Sequence, residues 1–513
     1  MINFDAVLLL ATQASAPLGV TILFGCLLAG LILCLALEET LHAKKSLIAG
    51  LFAIVCLLLA TGLGILPYEP VVVGSHELTE HSAVDGEYET EDQAFEYHAD
   101  AVNGDQPGQH DSPLHVEGHE ISMPVYIPAI NWGVIAIILG SGLFVDVTSK
   151  SGLFTWIAIR VTKRSGGDPL VLLALYGVMT VVFSAVLNNV TAMIIVGSLT
   201  AVSLERLNRK EQMLGFLLIE GLLTNVGGLL TLISSVPNII VGTAAGISFM
   251  TFFVKAAPYV VLSTAVTIWM GAKLFRIQRL ATNEEKQEAA EMVAGFDEND
   301  GIESWGFFWF GAVMLCLFII TIATTSVLPV VSDLQMGFVA LAFAGIMLLR
   351  FKAEVEHFYK AIDWDLLGFF MALFVVIYVM EHAGVLSVLG GGIERVLTDL
   401  KAAPAHPRDA SILLVGAAVF SSITDNIPLA AMLSNILSNL GTPSDSGLWW
   451  SIVFGANLGG NLTPIGSAST LVAVTIIHKH KLPLTFGAFV KLAAPYAVVQ
   501  IILATVYVLL FLR

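Results

Sequence analysis

A chain of 513 residues that is 56% hydrophobic and 13% charged, with a mean hydropathy of +0.83, is not a soluble globular protein, in which roughly 25% of residues are charged. The formal charge of −17 argues against a nucleic-acid partner, and the chain holds no phosphate-binding loop, nucleotide fingerprint or hydrolase triad for a pump or an enzyme. Long apolar runs rather than short alternating strands exclude a transmembrane barrel and predict an all-α polytopic membrane protein.

Residues 1–66 hold the first two spans, over 18–37 and 47–66. An Ala-Thr-Gln-Ala-Ser-Ala stretch precedes them and resembles a cleavage site, but no basic residue comes before it, which reads against a signal peptide. Lys44 and Lys45 place the first connection in the cytoplasm. No Lys or Arg then occurs until Lys150. Inside that gap, residues 67–124 form an acidic segment with His76, His81, His98, His110, His115 and His119. It is expected to be extracytoplasmic, solvated and largely disordered, rather than a metal site. The four Cys all fall in apolar runs without metal-ligand spacing and read as buried thiols.

The first transport repeat covers 125–275. A span over 127–146 and an amphipathic segment over 152–161 lead to Arg160, Lys163 and Arg164. Two apolar runs, 170–187 and 190–202, then flank Asn188-Asn189 and are followed by Arg206, Arg209 and Lys210. Basic residues on both flanks predict a re-entrant hairpin that enters and leaves from the cytoplasm. A broken span over 214–241 comes next, then one ending at Lys273 and Arg276. Residues 276–304, with Glu284-Glu285-Lys286 and Asp297-Glu298-Asn299-Asp300, read as a charged cytoplasmic linker. Residues 305–513 supply linking spans and the second transport repeat, which starts at Trp364. About ten full spans and two re-entrant hairpins result.

The repeat is written in the residues. Asn225-Val226-Gly227-Gly228-Leu229-Leu230-Thr231 returns as Asn457-Leu458-Gly459-Gly460-Asn461-Leu462-Thr463, at a spacing of 232. Trp132 and Gly152 return at that same spacing as Trp364 and Gly384. The first hairpin, Phe183-Ser184-Ala185-Val186-Leu187-Asn188-Asn189, returns as Phe420-Ser421-Ser422-Ile423-Thr424-Asp425-Asn426, at a spacing of 237. The basic flanks put the 127–146 span and the Trp364 span in opposite directions, so the halves read as inverted repeats with broken helices.

Asn, Gly-Gly, Thr and Pro inside apolar spans are poor helix formers and poor company for lipid. A cation leaving water needs replacement oxygens, which unwound backbone and Asn or Thr side chains provide. The expected ion-binding set is therefore Asn188, Asn189, Asn225, Gly227, Gly228, Thr231, Asp425, Asn426, Asn457, Gly459, Gly460 and Thr463, with Na⁺ at Asn189, Asn225, Asp425, Asn426 and Asn457. Asp425 sits between apolar runs, where it would hold Na⁺ when ionised and a proton when not. Glu220, in the run before Asn225, is a second proton-coupling candidate. Asp146, beside Lys150, and Asp365, at a span start, read as structural. No cofactor is expected beyond Na⁺ and H⁺ as transported or coupling ions.

At these residues the chain resembles the ion transporter superfamily that includes ArsB-type arsenite permeases, NhaD-type sodium/proton antiporters, divalent-anion/sodium symporters and the melanosomal P protein. Thr224-Asn225-Val226-Gly227-Gly228 with Pro237-Asn238 is similar to T-N-I-G-G with P-P-N. Asp425-Asn426-Ile427-Pro428 matches D-N-I-P, and Phe454-Gly455-Ala456-Asn457-Leu458-Gly459-Gly460-Asn461 is similar to F-G-A-x-L-G-G-N. The resemblance is nearest to the P protein and ArsB branch, and Asn188 stands where that branch carries Asp. The resemblance implies a homodimer in a bacterial inner membrane, with a scaffold part, a moving part and an elevator-like mechanism. An Asp at a hairpin tip would repel a dicarboxylate, which favours Na⁺/H⁺ antiport over a sodium- or proton-coupled dicarboxylate or arsenite permease. A passive channel would need a continuous polar pore.

Overall fold

The computed structural model describes residues 17–66, 70–73, 119–122, 124, 126–329, 331–352, 355–424 and 426–512. Nine helices among them are long and apolar enough to cross a membrane. The described residues are helical except for one two-stranded antiparallel ribbon and the connections between elements.

Helices α1 (Leu18–Ala36) and α2 (Lys45–Gly62) open the chain. The ribbon follows, β1 (Pro70–Val73) pairing with β2 (His119–Ser122). It ties together the two ends of the acidic segment, where a largely disordered loop was expected. Three consecutive Val residues, 71 to 73, supply the β-branched run that such pairing favours. The segment's other histidines, His76, His81, His98, His110 and His115, lie outside the described residues.

The first half contains α3 (Trp132–Lys150), α4 (Leu153–Arg164), α5 (Pro169–Val186), α6 (Asn189–Arg206), α7 (Met213–Gly227), α8 (Val236–Ala244) and α9 (Phe249–Leu274). A linker helix, α10 (Asn283–Ala294), leads to α11 (Trp305–Ala323) and α12 (Val331–Arg350), which is interrupted at Gln335. The second half repeats the order with α13 (Trp364–His382), α14 (Val385–Val396), α15 (Pro407–Ser421), α16 (Asn426–Asn439), α17 (Gly447–Gly459), α18 (Ala468–Lys479) and α19 (Phe486–Tyr507).

The same local contacts recur in both halves. Trp132 Nε1 donates to the Ile127 carbonyl at 3.1 Å, and Trp364 Nε1 to that of Tyr359 at 3.2 Å. Gly152 and Gly384 sit at φ 80° and 73°, left-handed turns that glycine adopts without a Cβ clash, between α3 and α4 and between α13 and α14. Helices α9 and α19 close the halves and run antiparallel, since Tyr507 Oη donates to Lys255 O while Gln500 Nε2 donates to Thr267 Oγ1. Both carry Ala-Ala-Pro-Tyr, at 256–259 and 493–496.

Around this lies a shell of simpler packing. Helix α3 packs on α12, and α13 on α2. Asp365 accepts from Ser46 Oγ at 2.5 Å and Ser46 N at 3.3 Å, so it fastens α13 to the start of α2. Cys56 is buried, but Cys26 and Cys316 are exposed and Cys34 is partly so. Three of the four thiols therefore have access to the surroundings of the bundle, because an apolar span need not turn its apolar side chains inward when the solvent is lipid. The linker grips the first half. Leu280 N donates to Asp168 Oδ2 at 3.1 Å, Arg160 and Lys163 pair with Glu298, and the Arg206 guanidinium lies 4.1 Å from the Phe296 ring centre.

Close α3–α12 packing depends on Gly140, where a Cβ would stand 2.5 Å from the backbone of Ala340 and Leu341. Gly140→Ala should lower the thermal midpoint in detergent, through overpacking of about 1–3 kcal/mol. Gly142→Ala, with nothing within 4 Å, serves as control and should leave it unchanged.

Candidate functional site

Hairpin tips and helix breaks are built from the repeated motifs. Helix α5 ends at Val186; Leu187 and Asn188 are extended, and Asn188 caps α6 by accepting from Thr191 N at 2.7 Å. Helix α7 ends at Gly227, and eight residues of irregular chain lead to α8. In the second half α15 ends at Ser421, α16 starts at Asn426, and α17 is separated from α18 by the 460–467 break. Asp425 lies outside the described residues.

Each hairpin is fastened to its own break by the same pair of bonds. Ser184 Oγ donates to Thr224 O at 2.6 Å, and Ser421 Oγ to Ala456 O at 2.5 Å. Thr231 Oγ1 donates to Ala185 O, and Thr463 Oγ1 to Ser422 O, both at 2.6 Å. Gly227 permits the approach, since a Cβ there would lie 2.7 Å from Val181 Cα and O. Gly228 and Gly460 are close-packed too, against the Asn189 side chain and the Gly466 carbonyl respectively. Gly459 lies against the backbone of Ala418.

The two breaks then bond to each other. Asn225 Nδ2 donates to Ser467 Oγ at 2.9 Å and to Asn461 Oδ1 at 2.8 Å. In the converse contact, Ser235 Oγ donates to Asn457 Oδ1 at 2.7 Å. Asn457 Nδ2 donates to Asn238 Oδ1 at 2.9 Å, and Asn238 Nδ2 reaches the freed carbonyls of Gly228 and Thr231 at 2.6 and 2.9 Å. Asn189 joins from the hairpin, accepting from Ser184 Oγ at 2.6 Å and donating to Asn225 Oδ1 at 3.4 Å. Asn225, Asn238, Asn457 and Asn461 are all buried. Asn189, Asn225, Gly228, Thr231 and Asn457 are thus gathered in one network, with Thr463 tied to the second hairpin. Asn188 is exposed and Asn426 half-buried.

Several network residues, Asn238 and Ser184 among them, were not among the sequence candidates. Asn461 stands in the repeated motif where the first half has Leu229, and it donates to Leu222 O at 3.1 Å and to Gln500 Oε1 at 2.8 Å. Gln500, a buried amide in the last apolar helix, was visible as a polar residue in a span. Ser235 and Ser467 match at the same spacing of 232 as the Asn pair, which was the signal for them. Glu220 is fully buried on α7; Thr200 Oγ1 donates to its Oε1 at 2.6 Å, and its Oε2 has no hydrogen-bond partner. It faces α6, not the breaks.

Two clefts border α8. A cavity of about 170 Å³ lies between α3, the first hairpin tip, the start of α8 and the entry to α13; Asp146, Asn188, Thr191, Ser234, Val236 and Asp363 line it. Another, of about 420 Å³, lies at the opposite ends of α3 and α13, lined by Asn131, Thr243, Tyr378, Glu381, Asn435 and others.

The crossed Asn–Ser bonds make a direct test. Asn225→Ala and Asn457→Ala should each cost about 1–3 kcal/mol, the penalty for orphaning buried partners. Double-mutant cycles pairing Asn225 with Ser467, and Asn457 with Ser235, should each return a coupling of about 0.6 kcal/mol, as for other bonds between membrane helices. Reversible unfolding in mixed micelles provides the measurement.

Comparison with known proteins identifies the assembly. The family model described as citrate transporter (CitMHS) matches residues 116–455. An uncharacterized transporter of Mycobacterium tuberculosis is 31% identical over 384 residues, which cover 74% of this chain and 86% of the relative. The human P protein is 24% identical over 475 residues, covering 77% of this chain and 55% of that protein. In fold, the chain is similar to the YdaH transporter of Alcanivorax borkumensis (TM-score 0.56, 14% identity, 91% of this chain and 98% of the other). It is also similar to MtrF of Neisseria gonorrhoeae (TM-score 0.52, 12% identity, 92% and 95%). The chain belongs to the citrate transporter family and is an integral, multi-pass membrane transporter.

Proposed function

We propose that this transporter is a Na⁺/H⁺ antiporter, working by elevator-like alternating access of two inverted repeats within a homodimer. One observation carries the reading. The hairpin and break stretches 183–191, 225–238, 420–428 and 457–470 contain no Lys, Arg or His, while they are rich in Asn, Ser and Thr and include Asp425. Na⁺ takes several hard oxygen ligands, and neutral amides, hydroxyls and freed carbonyls supply them at little desolvation penalty. Asp425 adds the charge and, by taking up a proton, would let H⁺ replace Na⁺. Glu220, buried with one unpartnered oxygen, is the second proton-coupling candidate. The antiparallel α9 and α19 are the arrangement that inversion would produce.

A second reading, sodium- or proton-coupled uptake of a carboxylate or arsenite, has two supports. The family description names citrate. The starts of α6 and α8 both border the 170 Å³ cavity, and helix N-termini attract anions.

Liposomes holding the purified chain separate the two. With internal pH followed while Na⁺, Li⁺, K⁺, arsenite, succinate and citrate are added in turn, the antiport reading expects pH change with Na⁺ alone, and counterflow excludes a channel. A response to citrate or succinate that needs Na⁺ would replace it with the second reading. Asp425→Asn should abolish Na⁺-driven pH change in a folded protein. Asn225→Ala or Asn457→Ala should raise the half-saturating Na⁺ by about tenfold to a hundredfold, for a lost ligand of about 1–3 kcal/mol.

A further inference from the structure

Where the charged linker meets the first repeat, three cations and one acid share an open cleft of about 430 Å³. Arg160, Lys163 and Arg164 stand on α4 at relative positions that set them on one helix face. Arg160 and Arg164 are exposed and Lys163 is half-buried. The acid is Glu298 of the linker. Lys163 Nζ donates to its Oε2 at 3.3 Å, and Arg160 Nη2 lies 3.8 Å from its Oε1. One carboxylate among three cations leaves the cleft with a net positive charge.

The other wall is apolar, formed by Trp156, Ile157 and Val161. The Arg160 guanidinium lies 4.5 Å from the centre of the Trp156 ring, which holds the planar cation against that wall. Trp156 meets Phe308 of α11 edge-on at 5.5 Å, and Trp305 meets the same ring at 5.3 Å. Trp305 and Trp309 are exposed at the start of that span. Indole rings gathered at a span end mark the level of the lipid headgroups. The linker is fixed at that level too, since a Cβ on Gly152 would stand 2.5 Å from the Gly301 carbonyl oxygen.

The second repeat shows that the fold does not require these side chains. At the spacing of 232, Trp156, Arg160 and Arg164 return on α14 as Val388, Gly392 and Val396, and only Lys163 finds a cation, Arg395. A bias of basic residues toward the cytoplasm accounts for cations on α4, but not for their convergence with a stacked Trp on one cleft.

We infer that this cleft binds an anionic phospholipid, with Arg160, Lys163 and Arg164 around the headgroup phosphate and Trp156, Ile157 and Val161 against the glycerol and upper acyl chain. Guanidinium groups offer phosphate oxygens paired, directional donors. Free phosphate would leave the apolar wall bare, and a zwitterionic lipid would bring a cation of its own to a positive cleft. Glu298 competes with the phosphate for Lys163 and Arg160, so it limits the affinity. The site does not depend on which solute the transporter moves.

Native mass spectrometry of the purified full chain tests this, with phosphatidylglycerol or phosphatidylcholine titrated into the detergent and the tightest-bound lipid followed. The thermal midpoint in the same micelles gives a second reading. Wild type should retain phosphatidylglycerol in preference to phosphatidylcholine and be stabilised by it, less so as NaCl rises. Arg160→Gln combined with Arg164→Gln should raise the half-saturating phosphatidylglycerol about tenfold or more, as the loss of two cations at a membrane surface implies. Glu298→Gln should lower it severalfold, and Arg395→Gln on α14 should leave it unchanged. Equal retention of the two lipids overturns the site, as does unchanged half-saturation in the folded double variant. If the double variant does not fold, Glu298→Gln decides alone, and no gain there overturns the site. A loss in Arg395→Gln as large as in the double variant makes the effect one of overall charge and overturns it too. Inorganic phosphate is the third arm. A midpoint that rises with phosphate and not with phosphatidylglycerol overturns the lipid in favour of a free anion.

Discussion

Everything in this protein turns on backbone that has left its helix inside an apolar bundle. A carbonyl freed by a helix break has no water to turn to, and each such group left bare in a low-dielectric interior is expensive. The chain meets the demand from the other half of itself. Asn238 takes the carbonyls of Gly228 and Thr231, and Asn457 holds Asn238 in place. Because Asn225 needs Ser467 and Asn457 needs Ser235, neither break is complete without the opposite half. This mutual dependence explains why a motif of small polar residues recurs with so little freedom between its positions.

Much of this architecture was legible in the residues. Apolar run length gave the spans, and two spacings, 232 and 237, located both hairpins and both breaks. The same spacings reappear as paired hydrogen bonds, Ser184 with Ser421 and Thr231 with Thr463. What could not be read was which atom faces which. Asn225 and Asn457 look like equivalent ligands in the sequence, yet both amides are spent largely on the opposite half. Ser235 and Ser467 were legible as matched positions of the repeat but not as site residues, because each finds its partner more than 200 residues away. The β-ribbon at the ends of the acidic segment was missed for another reason. Val71-Val72-Val73 is too short a run to outweigh the acidic composition around it.

The two halves are alike in backbone and unlike in chemistry. Asn461 and Gln500 extend the network on one side only, where the first half offers Leu229 at the position of Asn461. Duplicate geometry with unequal side chains leaves the two halves chemically distinct. The linker belongs to this asymmetry, since its contacts at Asp168 and Arg206 clasp the first hairpin's ends and its contact at Lys163 holds α4.

Helix α8 has a consequence of another kind. Its first residue, Val236, borders one cleft, and Thr243 and Ala244, at its far end, border the other. A nine-residue helix is about 14 Å long, less than half the thickness of a bilayer's hydrocarbon core. Water in both clefts would carry each bulk potential inward to the two ends of that helix. The voltage of an energised membrane would then fall across this thin partition, and not evenly over the whole bilayer. A single charge displaced by the length of α8 would be worth about 2.3 kcal/mol per 100 mV, so a short movement here would sense nearly the full electrical driving force.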